Sequence, residues 1–268
     1  MIKIIKETIV DLELSSVCNL SCIYCPRDKI KRKRRFIDLS SINQLADHLD
    51  PGKIVWFSGM GEPFLHPDLT AIITILRTSG ALIYTNTNAT APHFQKTLTA
   101  AQQAGLNFVN VSVYGFDTES FQFTSQRDLF LILKENIEFL KASGLPYRLS
   151  YVQTEESPPN IKDRLETTFE TKHIRLLKQH HRSFAPRPSP KIQCGLAQNY
   201  LFISSDGDIF PCVNDVSGTC NFGKNILEAS AAKRQTYPFT ICQHCDANHG
   251  EKSFKKDYFS KVFALAKR

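Results

Sequence analysis

Three cysteines within eight residues, Cys18, Cys22 and Cys25, constrain this chain more than any other feature of it. They follow an alternating segment, residues 9–15, in which Val10, Leu12 and Leu14 share one face and Asp11 and Glu13 the other. Such alternation predicts a strand, so the cysteines are expected on the loop leaving its C-terminal end. Three thiolates at this spacing can hold three corners of an iron–sulfur cubane. The fourth iron then has no protein ligand, and an open position is what catalytic metal sites keep. The competing reading is three corners of a structural zinc site completed by a distant residue, although zinc sites more often use two separated C-x₂-C pairs.

At 268 residues and 42% apolar content, the chain is long enough for one large domain with a small appendage. No apolar run has membrane length, and the N-terminus leads straight into a strand with no secretory pattern. A cytoplasmic location without a membrane partner is therefore expected. There, eight cysteines point to metal or redox chemistry and not to a disulfide framework. The net charge of +7 is mostly local, since Lys29, Lys31, Arg32, Lys33, Arg34 and Arg35 supply six of the cations. This run reads as a solvated loop or as a basic rim. A rim beside the cysteine loop would draw in an acidic small molecule, an acidic peptide or an electron-donor protein. Phe36 is the one aromatic beside it, so base stacking and a nucleic-acid partner are not expected.

Further along, helical and strand periodicities alternate. Asp38 or Ser40 caps a helix carrying Ile42, Leu45, Ala46 and Leu49; residues 54–57 form a strand. A helix opens at Pro67, a strand spans 82–85, a helix runs from about Pro92 to Gly105, and a strand spans 108–113. Leu129, Ile132, Leu133, Ile137 and Leu140 make a helical stripe closed by Gly144, followed by a strand at 147–152, a helix around Leu165 and a strand at 173–177. Six strand–helix units predict an α/β fold with a parallel sheet, too short for a complete eight-fold barrel. The proline-rich residues 180–192 read as a linker between a domain at 1–179 and a second at 193–268. The second is expected to hold a hairpin (200–204 and 208–210) turning at Asp206-Gly207, a helix near 226–234, and a terminal helix carrying Phe254, Tyr258, Val262 and Leu265.

Ser58-Gly59-Met60-Gly61-Glu62-Pro63 stands directly after the second strand. Its glycines would let backbone approach a ligand closely, and Glu62 offers a carboxylate to an ammonium. Downstream, Cys194, Cys212, Cys242 and Cys245 make a four-thiolate set that, taken alone, reads first as structural zinc and second as an iron–sulfur cluster.

The loop Cys18-x₃-Cys22-x-Tyr24-Cys25 matches the pattern C-x₃-C-x-aromatic-C position for position. On it, the chain resembles the radical S-adenosylmethionine (radical SAM) superfamily. Cys194-Gly195, Ser205 through Cys212, and Phe222-Gly223-Lys224-Asn225 resemble that superfamily's Twitch domain, a shortened SPASM domain. The resemblance implies a partial (β/α)6 barrel with its active site at the strands' C-terminal ends, then a small C-terminal Twitch domain of β-hairpin and helix. It implies that Cys18, Cys22 and Cys25 hold a catalytic 4Fe–4S cluster whose open iron takes the amino and carboxylate groups of S-adenosylmethionine. Ser58, Gly59, Met60, Gly61 and Glu62 would bind the methionyl ammonium in place of a Gly-Gly-Glu-type motif, Met60 being the departure. Tyr24 would lie by the adenine, Val152 and its neighbours along the base, and Ser112, otherwise an ordinary strand-end serine, by the ribose. Cys194, Cys212, Cys242 and Cys245 would hold an auxiliary 4Fe–4S cluster. A flavodoxin- or ferredoxin-type protein would supply the electron.

The implied chemistry is abstraction of a substrate hydrogen atom by a 5′-deoxyadenosyl radical. Among Twitch enzymes, the compact build resembles those that oxidise a secondary alcohol of an aminocyclitol or sugar-like small molecule by two electrons. The alternatives are crosslinking or epimerisation of a ribosomal peptide, epimerisation of a sugar or aminoglycoside with Cys220 returning a hydrogen atom, and a non-catalytic zinc or electron-transfer scaffold. Cys220 otherwise reads as a buried apolar cysteine. Glu13 is expected either in the barrel lumen, touching substrate, or in solvent.

Overall fold

A computed structural model describes residues 9–179, 200–215, 218, 220–226 and 228–229. Its first strand, β1 (Ile9–Leu12), divides its side chains between two cores. Val10 and Leu12 join the large core under the helices, while Ile9 joins a smaller one on the inner face. β2 (Ile54–Phe57), β3 (Leu82–Thr87) and β4 (Leu106–Val113) repeat this division, whereas β5 (Tyr147–Gln153) and β6 (Ile174–Lys178) pack apolar residues against the large core alone. All six run parallel in sequence order. Parallel neighbours need long crossovers. These are supplied by α1 (Leu39–Ala46), α2 (Leu69–Thr78), α3 (Phe94–Gln103), α4 (Thr118–Ser125), α5 (Phe130–Ala142) and α6 (Ile161–Thr168).

Outside, Val55, Phe57, Ile83, Val109, Val111 and Leu149 pack with helical residues including Ile42, Ile73, Leu98, Leu133, Ile137 and Leu165. Inside, Ile54, Trp56, Tyr84, Phe108 and Tyr200 join Ile9 in a plug. Its rings meet edge-on or tilted, with centroids 5.5 Å apart for Trp56–Tyr84 and 5.4 Å for Tyr84–Phe108. Such aromatic pairs add directional packing to burial. Beyond the plug, toward the strands' C-terminal ends, the inner face turns polar at Ser58, Asn86, Asn110 and Ser150. The plug is thus the floor of whatever the barrel holds.

Of the two caps read for α1, Asp38 serves: its carboxylate accepts from Ser41 N at 2.8 Å. Helix α4 was not expected, because Thr118–Ser125 shows no long apolar stripe. A capping box starts it, with Asp117 accepting from Ser120 N at 2.8 Å.

The expected hairpin is present as β7 (Tyr200–Ile203) and β8 (Ile209–Phe210). β7 pairs in parallel with β1 on the side away from β2, so the hairpin continues the barrel sheet, in the order β6-β5-β4-β3-β2-β1-β7-β8. The reason lies in Tyr-Leu-Phe-Ile, buried on both faces, which is the continuous apolar run of an internal parallel strand. Helical backbone begins at Ile226, with Ala229 N donating to Asn225 O at 2.9 Å. The linker 180–192, Cys194, Cys242, Cys245 and the terminal helix lie outside the described residues. Among the described residues no helix is long and apolar enough to cross a membrane.

Phe108 is fully buried in the plug, whereas Leu131 on α5 is 74% exposed. Phe108→Ala should cost about 3–5 kcal/mol, seen as a lower urea midpoint at unchanged slope. Leu131→Ala should stay within about 0.5 kcal/mol of wild type.

Candidate active site

The cysteine loop that follows β1 is held by neighbours on several sides. Ser21 N and Ile23 N donate to Ser125 O and Thr124 O at 3.1 and 3.0 Å. These are end carbonyls of α4, which a helix leaves unpaired. Asn19 Nδ2 donates to Thr90 O at 3.0 Å, and Asn19 Oδ1 accepts from Asn88 Nδ2 at 2.9 Å. The buried Arg27 donates through Nη2 to Leu20 O at 2.7 Å. Glu62 N closes the set, donating to Val17 O at 2.9 Å.

The turn at residues 58–62 packs against this loop, and that packing by itself requires its glycines. A Cβ on Gly61 would stand 2.0 Å from Ser15 O. On Gly59, whose φ is +104°, it would stand 2.6 Å from Glu13 Cγ. Met60 N donates to Glu13 Oε2 at 3.0 Å.

Glu13 therefore meets neither expectation for it: it is fully buried and its oxygens are taken by protein. Arg32 pairs with both of them, at 2.7 and 3.2 Å, and Ser205 donates to Oε1 from its amide at 3.1 Å and its hydroxyl at 2.8 Å. The basic run is correspondingly not one solvated rim. Arg32 and Arg35 reach Asp206, in the β7–β8 turn, at 3.5 and 3.2 Å, and Arg34 pairs with Asp28, while Lys31 and Lys33 are exposed.

A cavity of about 320 Å³ opens above the aromatic plug. Cys18, Cys22, Tyr24, Cys25, Ser58, Gly59, Met60, Gly61, Glu62, Ser112 and Val152 all line it. Tyr24 and Val152 are the exposed members of this group. Cys212 is buried just past β8, and Cys220, half-buried, donates its amide to Asp215 Oδ2 at 2.7 Å. The lining also includes Asn86, Asn88, Asn110, Tyr114, Arg148, Ser150 and Arg175, which the sequence reading did not single out. Their signal is a polar residue at every second position near a strand's C-terminal end. Asn110 Oδ1 accepts from Arg148 Nε at 3.0 Å and Ser150 Oγ at 2.6 Å, and Asn86 Oδ1 accepts from Trp56 Nε1 at 3.0 Å.

Burial, reinforced by its neighbours Cys18 and Cys25, pushes the Cys22 thiol up to about 12. Burial, then the Glu62 carboxylate, raises Cys18. Tyr114, which hydrogen-bonds Cys22, lies well above the ordinary tyrosine range for the same reasons. Thiolates in this place call for a cationic group that replaces the lost water. The donor set is three soft sulfurs, the preference of an iron–sulfur cluster. Among the described residues no three His, Cys, Asp or Glu side chains converge on a single ion; a cubane does not require this, because each thiolate takes its own iron. Glu62 supplies the second test of fit. Its carboxyl accepts from Phe64 N, Thr87 Oγ1 and Asn88 N, none of them a cation, and burial pushes it up to about 7. A carboxylate has about four lone-pair sites, so one acceptor position remains, and an ammonium there would bring the acid back toward its ordinary range. The residues fit both groups.

The sequence model of the Radical SAM superfamily matches residues 12–167, more than half of the chain. This chain belongs to the radical SAM superfamily. Radical SAM proteins carry a 4Fe–4S cluster and S-adenosylmethionine, which the cysteine loop and the 58–62 turn accommodate. A probable GTP 3′,8-cyclase of Methanothermobacter marburgensis is 32% identical over 154 residues, 55% of this chain and 49% of that protein. The GTP 3′,8-cyclase of Chlorobaculum tepidum is 26% identical over 136 residues, 50% of this chain and 41% of that protein. The chain spans about half the length of the curated relatives it matches. Its fold is similar to that of BtrN in complex with AdoMet and 2-DOIA (TM-score 0.60, 17% identity, 91% of this chain and 95% of that one). It is also similar to anSMEcpe with bound AdoMet (TM-score 0.68, 14% identity, 94% and 87%).

Gly61→Ala should prevent the turn from seating on the cysteine loop. The expected result is loss of S-adenosylmethionine binding in calorimetry and faster amide exchange at Val17 and Glu62. A second measurement concerns Asp11, buried beneath the cavity with Ser58 Oγ 3.1 Å from its carboxyl. Burial pushes it from 3.8 to about 7, with Ser58 opposing. The native state then keeps its proton through a window in which the unfolded chain releases it, so this group's contribution to stability falls as pH rises from about 4 to about 7 and levels off above. Asp11→Asn should remove that slope in urea midpoints measured across the window.

Proposed function

We propose that this radical SAM protein is an oxidoreductase that removes a hydrogen atom from a small polyhydroxylated molecule, sugar-like or an aminocyclitol, and oxidises a secondary alcohol by two electrons. One observation carries the reading: a single cavity gathers the cysteine loop, the 58–62 turn and a row of strand-end amides and hydroxyls. Its volume of about 320 Å³ is in the range of small-molecule sites.

Cys18, Cys22 and Cys25 would hold the catalytic cluster. Glu62 would orient the methionyl ammonium of S-adenosylmethionine, with Tyr24, Ser112 and Val152 along the nucleoside. Cys194, Cys212, Cys242 and Cys245 are proposed to hold an auxiliary 4Fe–4S cluster, and a flavodoxin- or ferredoxin-type protein to donate the electron. When bound, these groups supply reductive cleavage of the sulfonium, hydrogen-atom abstraction and removal of the second electron. The chain's own residues supply position. Asn86, Asn110 and Ser150 present hydrogen-bonding groups to substrate hydroxyls. The plug of Trp56, Tyr84 and Phe108 closes the lumen from below and excludes water from that side of the chamber.

The test is anaerobic reconstitution of the full chain. The reading expects about eight irons per chain, and dithionite-driven release of 5′-deoxyadenosine that disappears in Cys22→Ala. Absence of that release from the wild-type protein overturns the enzyme; about four irons with one zinc overturns the auxiliary cluster alone.

A further inference from the structure

Arg27 follows the last of the three cysteines by two residues, in the single helical turn Pro26–Lys29, and it lines the cavity. The residue is buried, with 7% of its surface exposed. A guanidinium stays charged in such a place, since no protein environment deprotonates it. A buried cation is costly unless negative charge and hydrogen bonds replace the water it has lost.

Among the described residues Arg27 has little of either. Nη2 donates to Leu20 O at 2.7 Å, and this carbonyl belongs to the loop between Cys18 and Cys22. Nε is buried and has no hydrogen-bond partner. The carboxylate within ion-pair distance is that of Asp28, whose Oδ1 lies 3.9 Å from Nε, too far for a hydrogen bond. Asp28 is exposed, and the same oxygen pairs with Arg34. The charge of Arg27 does reach the cysteine loop, where it opposes the rise that burial and Glu62 impose on Cys18. A buried cation with an unused N–H thus stands beside the three sulfurs.

We propose that Arg27 is the counter-ion of the cluster held by Cys18, Cys22 and Cys25, and that it stabilises the reduced state. The proposal rests on the reading of that loop as the cluster's seat. A cubane on three thiolates carries net negative charge, and reduction adds one electron to it. A fixed cation therefore favours the reduced form, and net charge and hydrogen bonds to the sulfurs are among the levers that set such potentials. Arg27 acts here through the cluster's charge, as a positioning residue, and not on the substrate.

The experiment is a redox titration of the full reconstituted chain, followed by electron paramagnetic resonance without S-adenosylmethionine. The signal that changes when S-adenosylmethionine is then added marks this cluster. Arg27→Gln should lower its midpoint by about 59 mV or more, a tenfold weaker hold on the electron, as the loss of a charged hydrogen bond implies. Arg27→Lys, which keeps the charge, should stay within about threefold, or about 30 mV, of wild type. So should Lys31→Gln, which removes an exposed cation nearby, where water and salt screen it. An unchanged midpoint in Arg27→Gln overturns the proposal. An equal fall in Arg27→Lys also overturns it, by reducing Arg27 to a brace for Leu20. Where Arg27→Gln loads no cluster, the lysine variant decides: full iron content at a near-wild-type midpoint supports the counter-ion, and loss of iron there too overturns it. Tenfold weaker S-adenosylmethionine binding in Arg27→Gln at an unchanged midpoint assigns the guanidinium to the cofactor's carboxylate instead. Wild-type protein without a signal that answers to S-adenosylmethionine is a separate failure, of the parent reading, and takes this proposal with it.

Discussion

Five donated hydrogen bonds converge on the carboxylate of Glu13, and they come from three segments far apart in sequence. Arg32 belongs to the strap after the cysteine loop, Met60 to the turn after β2, and Ser205 to the turn after β7. A buried ion pair is weak evidence for stability, because its desolvation offsets its attraction. Its effect here is on register. Glu13 accepts both of Arg32's terminal nitrogens while two backbone amides approach it, so the turn, the strap and the hairpin reach satisfied donors in one mutual arrangement. Gly59 belongs to the same constraint, since any Cβ there would strike the Glu13 stem.

From that junction the upper layer of the barrel can be derived. The 58–62 turn seats against residues 15–17, and Glu62 then reaches across to Thr87 and Asn88. Asn88 in turn holds Asn19 of the cysteine loop, and the end carbonyls of α4 hold the loop's far side. The sulfurs are thus positioned by backbone and amide contacts independent of metal. The short helix α4 anchors itself in the core through Phe121, and its unpaired carbonyls are what an irregular loop rich in N–H groups needs.

The legible part of this site was local. The cysteine spacing, the glycine turn and the strand periodicities are contiguous in sequence, and the residues they marked within the described region meet in one cavity, apart from Cys212. The glycines were recognised but the packing that requires them was not, because the atoms that exclude a Cβ belong to β1's exit, more than 40 residues earlier. Glu13 and the basic run were misread for the same reason: alternation says which side of a strand a residue occupies and nothing about which partner waits there. Arg148 and Arg175 sit in strands with apolar residues on both sides, Val152 and Leu177 among those lining the cavity, so their inward direction emerges only from register with Asn110 and Ser150. β7 looked like part of a detached hairpin because two short strands around Asp-Gly satisfy that pattern alone; its burial on both faces was the contrary sign.

The electrostatics of the cavity follow from where its charges can be solvated. Glu62 and Asp11 lie in the dry region near β1–β3, and burial lifts both toward neutrality. Glu62, which accepts from one hydroxyl and two amides, keeps an acceptor position on that side for an ammonium.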